Sequence, residues 1–241
     1  VRFFHETVSA TPSSELLHEA MQDITARMGF RHFALVHHIN VRAPGSPTIR
    51  LIDYPSDWVE IFEERKLYAS DPIHRASQRT AVGFEWGDVE RLITLTDRDR
   101  AVLVAARAIG IGEGFTVPAH IPGEINGSCS FAMGLGETID REQLPLAQLI
   151  GTFAFEAARK VNQHDAGHPA IHLTDRQVEC VALVARGKTD WEIGKILGVG
   201  SETVTQHLKD ARERYGVTKR TMLAVRALFD GVISFTDILR V

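Results

Sequence analysis

The chain has 241 residues, 44% of them hydrophobic and 24% charged, a balance that excludes intrinsic disorder and leaves room for two domains. No run approaches the roughly 18 apolar residues of a spanning helix, and the opening VRFFHETVSATPSSE lacks the basic-then-apolar order of a secretory signal. The net charge of −4 is uneven: residues 171–241 hold 11 Lys/Arg and 9 Asp/Glu, whereas the remaining 16 and 22 make the front half acidic.

Two cysteines, Cys129 and Cys180, stand far apart with no metal-ligand spacing. They read as buried small hydrophobes in a reducing cytoplasm. The polar stretch NQHDAGHPAIH marks a linker at 162–172, between a domain at 1–161 and another at 173–241.

In chain order, Ser13 or Ser14 caps a first helix, with Leu16, Leu17, Ala20, Met21, Ile24 and Met28 at helical spacing before Gly29. FRHFALVHHINV reads as a strand, followed by a turn at 44–47 and a second strand, TIRLIDY. Ser56 opens a helix through Trp58, Phe62 and Lys66, and Asp71-Pro72 opens another, since proline suits a first turn. VGFEW is a strand, DRDRAVLVAARAIG a helix, GFTVPAH and GSCSFAMGL two strands, and REQLPLAQLIGTFAFEAARKV a long striped helix. Strands joined by turns, with helices between others, predict an α+β domain, an α-β-α sandwich on an antiparallel sheet.

From 173 the pattern becomes four short helices. Thr174 with Gln177 forms a capping box for a helix burying Val178, Val181, Ala182 and Ala185, and Thr189 caps a second that buries Ile193, Ile196 and Leu197. Ser201 caps a third, and a fourth from about Lys219 carries Met222, Leu223, Val225, Ala227 and Leu228. In the third helix Val204, Leu208, Ala211 and Tyr215 share one face. Thr205, Gln206, Lys209 and Arg212 face outward, the hydroxyl, amide and cationic groups that a major groove accepts. A plain amphipathic helix has the same period, so the longer motif must decide.

The segment LTDRQVECVALVARGKTDWEIGKILGVGSETVTQHLKDARERYGVTKRTMLAV closely resembles the LuxR-type helix-turn-helix, through Leu173, Thr174, Arg176, Glu179, Gly187–Thr189, Glu192, Ile193, Ser201, Thr203, Val204, His207, Gly216, Val217 and Arg220. Gln177, Gly194 and Tyr215 depart from the usual residues, and Gly194 implies a loss of about 1 kcal/mol of helix propensity. The resemblance implies a four-helix DNA-binding domain in which Ser201, Thr203, Thr205, Gln206, His207, Lys209 and Arg212 meet double-stranded DNA. Thr205 and Gln206 are the candidate base readers.

The stretches YPSDWVEIFEERKLYASDPIHRAS, FEW and GIGEGFTVPAHIPGEINGSCSFA resemble the autoinducer-binding domain of LuxR-type quorum-sensing regulators. The matching residues are Tyr54, Trp58, Asp71-Pro72, Trp86 and Gly114. The resemblance implies an N-acyl-homoserine lactone as ligand: Trp58 donates to the lactone carbonyl, Asp71 accepts the amide N–H, and Tyr54 donates to the amide carbonyl. Ser130 adds a hydroxyl, Trp86 walls the lactone, Gly114 is structural, and Ile73, Phe62, Leu35 and Val36 line the acyl tail. Phe62 stands where the family often has tyrosine, which implies a plainer acyl chain. The chemistry agrees, since a dry pocket must meet each polar group of an acylated amino-lactone.

The implied protein is a cytoplasmic, dimeric regulator of transcription that binds an inverted repeat and works with RNA polymerase, with no membrane partner and no cofactor besides its ligand. Enzyme motifs such as GxSxG, HExxH and the P-loop are absent from the sequence, and the histidines suggest no metal site. Three alternatives stand beside this reading. One is the same architecture sensing a non-lactone molecule such as a pyrone; another is a phosphorylation-controlled response regulator, disfavoured by the lack of an acidic pair after the first strand; the third is an enzyme acting on the lactone.

Overall fold

The computed structural model describes residues 13–38, 49–121, 126–166 and 171–239. The expected turn at 44–47 lies outside them. The chain divides into two compact units, residues 1–120 with 125–167 and residues 168–241 with 121–124.

The amino unit is built on a five-stranded antiparallel sheet in the order β2-β1-β5-β4-β3. Its strands are β1 (His32–His37), β2 (Arg50–Ile52), β3 (Phe84–Glu85), β4 (Ile111–Ala119) and β5 (Gly127–Gly134). Most are shorter than the apolar runs suggested, and β3 stops where Trp86 turns into a 3-10 helix, Trp86–Asp88; β4 instead begins earlier than expected, at Ile111. Strand parity separates two faces. Phe33, Leu35, Cys129, Phe131 and Val117 are buried on the face covered by α1 (Ser14–Arg27) and α6 (Leu144–Ala166). Ala34, Val36 and Ser130 point to the other face, where a cavity lies.

Around that second face stand α2 (Ser56–Glu64), α3 (Pro72–Ser77), α4 (Val89–Leu92) and α5 (Asp97–Ala108). Ser13 caps α1, accepting the Leu16 N–H, and Leu17 and Met21 are buried as expected; Leu16 turns out to solvent. The helix expected through Lys66 ends at Glu64, because Lys66 takes a left-handed φ of 53°. Its N-cap is Pro55, so Ser56 is the first helical residue and not a cap. α6 follows a 3-10 turn, Arg141–Gln143, and continues into the expected linker. No described helix is long and apolar enough to cross a membrane.

The carboxyl unit comprises α7 (Asp175–Ala185), α8 (Asp190–Leu197), α9 (Ser201–Arg214), α10 (Arg220–Phe229) and a fifth helix that was not anticipated, α11 (Phe235–Ile238). α7 begins with the expected capping box, Thr174 with Gln177, and Thr189 caps α8 as expected, in a box that Glu192 completes. Ser201 does not cap α9; Gly200 takes that position with no side-chain bond.

The face of α7 is rotated from the expected one. Gln177, Cys180, Val181, Leu183 and Val184 are buried, with Val178, Ala182 and Ala185 packed at the margin. Ile196 is 54% exposed, because α8 buries Ile193 and Gly194 and the next 100° steps carry Ile196 off that face. In α10 only Leu223 and Ala227 are fully buried; Met222 and Val225 lie on the opposite side with Phe229, leaving an apolar stripe in solvent.

Candidate functional site

The cavity in the amino unit has a volume of about 210 Å³ and is floored by Ala34, Val36 and Ser130 of the sheet. Tyr54, Trp58, Asp71, Trp86 and Ser130 line it, as do Phe62 and Ile73 of the residues expected along the acyl tail. Val36 lines it too. Leu35 does not, since its place in β1 points it into the α1–α6 side, where it is fully buried.

Three side chains arrive from one side because Tyr54, Trp58 and Phe62 are four residues apart along the approach to α2 and the helix itself. The Trp58 and Phe62 rings lie 5.6 Å apart at 56°. Neither the Tyr54 hydroxyl nor the Trp58 indole N–H makes a hydrogen bond among the described residues, although Trp58 is only 8% exposed. Burial, and then the charge of Asp71, raise the pKa of Tyr54, so the phenol remains a donor.

Asp71 is buried. One oxygen accepts the Ile73 N–H at 2.8 Å, capping α3, and the other lies 3.5 Å from His74 Nε2. Opposite, the Trp86 indole donates to Thr116 Oγ1 at 2.8 Å, and Thr116 and Ser130 share a hydrogen bond of 2.8 Å. That chain fixes both the Trp86 ring and the Ser130 hydroxyl. Gly114 makes the arrangement possible: a Cβ there would stand 2.4 Å from the Trp86 ring.

Sequence reasoning missed His74, Tyr68 and the ion-paired Arg50 and Glu63, all of which line the cavity. The signal for His74 was its position three residues after Asp71, one turn along the same helix. Arg50 and Glu63 come from β2 and α2, and nothing in their spacing links them.

In the carboxyl unit α8 and α9 form the helix-turn-helix. Val204, Leu208, Ala211 and Tyr215 pack with Val181, Ile193 and Leu223 in one cluster. On the outer face Ser201, Thr203, Thr205, Gln206 and Lys209 are exposed, and His207 and Arg212 half-buried. Three of these are already engaged within the unit. The Thr205 hydroxyl donates to Asp190 Oδ2 at 2.7 Å, and Arg212 donates to the carbonyls of Leu208 and Thr218 at 3.2 and 3.0 Å. Gln206 donates to Asp210 along the helix.

Asp190, at the start of α8, also receives Arg220 from the start of α10. Burial raises its pKa, but the Thr205 hydroxyl and Arg220 outweigh that and hold it below the ordinary carboxylate value. The reading helix is thus tied to its scaffold by one carboxylate.

A helix-turn-helix on one unit and an amphiphile-sized cavity on another define a regulator of transcription that answers to a small molecule. Residues 13–158 match the autoinducer binding domain, and residues 172–227 match the bacterial regulatory proteins of the luxR family. The chain belongs to that family, as a LuxR-type regulator with an autoinducer-binding domain. The front unit is therefore not a phosphoacceptor receiver.

Among curated proteins, the putative HTH-type transcriptional regulator y4qH of Sinorhizobium fredii is 30% identical over 186 residues, covering 76% of this chain and 56% of that protein. The transcriptional activator VanR of Vibrio anguillarum is 30% identical over 193 residues, covering 78% of this chain and 79% of its own length. The crystal structure of Escherichia coli SdiA is similar in fold, with a TM-score of 0.73 at 22% identity over 96% of this chain and 97% of that one.

Proposed function

We propose that the chain is a quorum-sensing regulator that binds an N-acyl-homoserine lactone in the cavity and, as a dimer, an inverted-repeat operator. The observation that carries the ligand reading is the convergence of Tyr54, Trp58 and Asp71 on one cavity, the first two with donors that meet no hydrogen-bond partner among the described residues. An acylated amino-lactone has one amide donor, two carbonyl acceptors and an apolar tail. Asp71 takes the donor, Trp58 and Tyr54 supply the two acceptors, and Phe62, Ile73 and Val36 take the tail. Ser130 and Trp86 stand at the lactone end.

Ligand completes the core of the amino unit. A molecule that binds only the folded form stabilises it by about 2.7 kcal/mol at a hundredfold excess over its Kd. The folded units then pair, the front ones through α6 and the DNA-binding ones through the exposed stripe of Met222, Val225 and Phe229. Pairing sets two α9 helices roughly 34 Å apart, one turn of DNA. Thr203 and Gln206 meet base edges and Lys209 a phosphate. Thr205, whose hydroxyl donates a hydrogen bond to Asp190, and Arg212, bound to carbonyls, brace the helix at its ends of contact, while Ser201 and His207 border the groove. The regulator works in the cytoplasm with RNA polymerase.

The test is binding of octanoyl-homoserine lactone to the wild type and to Asp71→Asn. The variant keeps the helix cap but loses the charged acceptor, and its affinity should fall by at least roughly tenfold, the worth of a hydrogen bond to a charged group. Undiminished affinity would move the amide away from Asp71. SdiA has been solved in complex with octanoyl-rac-glycerol, so the acylglycerol belongs in the same titration. Binding of that compound alone would favour a non-lactone amphiphile.

A further inference from the structure

Asp71 has a neighbour that the lactone scheme leaves unused. His74 lies one turn along α3, its imidazole lines the cavity, and its Nε2 is 3.5 Å from Asp71 Oδ2. The ring is held firmly. Its face stacks on His38 with centroids 4.0 Å apart, and Phe62 meets it edge-on at 6.1 Å. His38 is anchored in turn to Ser128 Oγ at 2.8 Å. Burial first, then the rings of His74, His120 and His37, push the pKa of His38 down to about 2, so the stacking partner brings no charge.

The Nδ1 of His74 is buried without a hydrogen-bond partner among the described residues. A hydrogen there would be a buried unpaired donor, and a lone pair at Nε2 would oppose the Asp71 carboxylate. Both are unfavourable, so Nε2 carries a hydrogen. At 3.5 Å the contact with Asp71 is too long to satisfy that donor. The cavity wall therefore presents an acceptor, Asp71 Oδ2, beside an open donor, His74 Nε2–H.

The amide of the ligand cannot use both. In a trans amide the N–H and the carbonyl point to opposite sides, and the acyl chain lies on the side of the N–H. A ligand that gives its N–H to Asp71 turns its own carbonyl away from His74 and its acyl chain toward it. An oxygen a few bonds along that chain fills the vacant donor, whereas a plain methylene there leaves it unpaired in a dry wall.

We propose that His74 is a specificity-determining residue that selects acyl chains bearing an oxo or hydroxyl oxygen at the third carbon. This deepens the lactone reading and rests on it. It reverses the plainer chain that Phe62 by itself implied, because the donor comes from α3 and not from α2.

The experiment is calorimetric titration of the full chain with octanoyl- and 3-oxo-octanoyl-homoserine lactone, read as the ratio of the two dissociation constants. The wild type should favour the 3-oxo compound roughly tenfold, the worth of one otherwise unpaired donor. His74→Phe retains a ring against His38 and Phe62 without a donor, and should bring the ratio close to unity. His74→Gln, with an amide N–H, should restore part of it. A ratio taken within one variant is insensitive to any general loss of stability, and if His74→Phe does not fold, the wild type and His74→Gln still decide. Equal affinities in the wild type, or a preference that survives in His74→Phe, overturn the role of His74 and leave the lactone reading standing. If neither lactone binds the wild type, both readings are overturned.

Discussion

Gly114 and Trp86 form the tightest local fit at the cavity. The indole lies flat where a β-carbon of residue 114 would be, and its N–H is tied to Thr116 on the same strand. Gly114→Ala must therefore push the ring off the sheet or strain β4. The expected cost is about 1–3 kcal/mol, typical of overpacking. It would be read as a lower urea midpoint of the amino unit, followed by Trp58 and Trp86 fluorescence in a Trp191→Phe background. An unchanged midpoint would mean that the ring has room to move. The sequence marked Gly114 as structural through resemblance; the reason, an indole and not a turn, is visible only in three dimensions. His74 is the converse case. Its position three residues after Asp71 is legible in the sequence, but neither the stack with His38 nor the lack of a partner at Nδ1 among the described residues has a signature in one dimension.

Helix α8 sets two rules against each other. By propensity alone Gly194→Ala stabilises a helix by about 1 kcal/mol. Here the added β-carbon would stand 2.7 Å from the Val199 carbonyl oxygen in the turn leading to α9, and backbone does not yield cheaply. The variant should be destabilised by about 1–3 kcal/mol, with weaker operator binding because the turn that aims α9 is disturbed. A thermal melt of the variant that rises above the wild type would show that propensity wins. The sequence reading saw Gly194 as a weakness in the scaffold; in the fold it is the close contact of the turn. The same helix explains why Ile196 was misassigned. In two turns of helix an apolar residue 100° off the centre of the face is indistinguishable by period from one at the centre. α10 repeats the lesson, since Met222, Val225 and Phe229 are apolar and yet lie opposite Leu223 and Ala227. The inner side packs within its own unit, and the outer side is the face assigned above to pairing under the proposed function.

At the scale of the molecule, the chain joins a unit whose core has a hollow to a unit whose core is closed. The cluster around Val181, Ile193, Leu208 and Leu223 is complete by itself, so the DNA-reading surface does not need the ligand in order to fold. Under the function proposed above, ligand acts on the other unit and reaches DNA through pairing. Phosphate contact by the reading surface should then appear as salt dependence. Lys209→Ala is expected to weaken operator binding and to lower the slope of log affinity against log salt by about one. A slope that does not change would take Lys209 off the backbone and leave phosphate neutralisation to other cations. Lys209 suits this test because it is exposed and makes no hydrogen bond or ion pair among the described residues, whereas Arg212 is held by two carbonyls and its loss would also loosen the end of α9.

What the sequence determined by itself is everything that depends on neighbours along the chain: the capping boxes at Thr174 and Thr189, the buried face of α9, the Asp71 cap of α3, and the ordered residues that carry the family resemblance. These are set by periods of two and 3.6 and by hydrogen bonds spanning two or three residues, so a string of letters is enough to find them. The tertiary structure alone decided which face of β1 meets the cavity, that Arg50 meets Glu63 and His38 meets His74, and which apolar side of α10 is left to solvent. Those are encounters between distant segments, and they follow from how strands pair and helices pack, which no local pattern encodes.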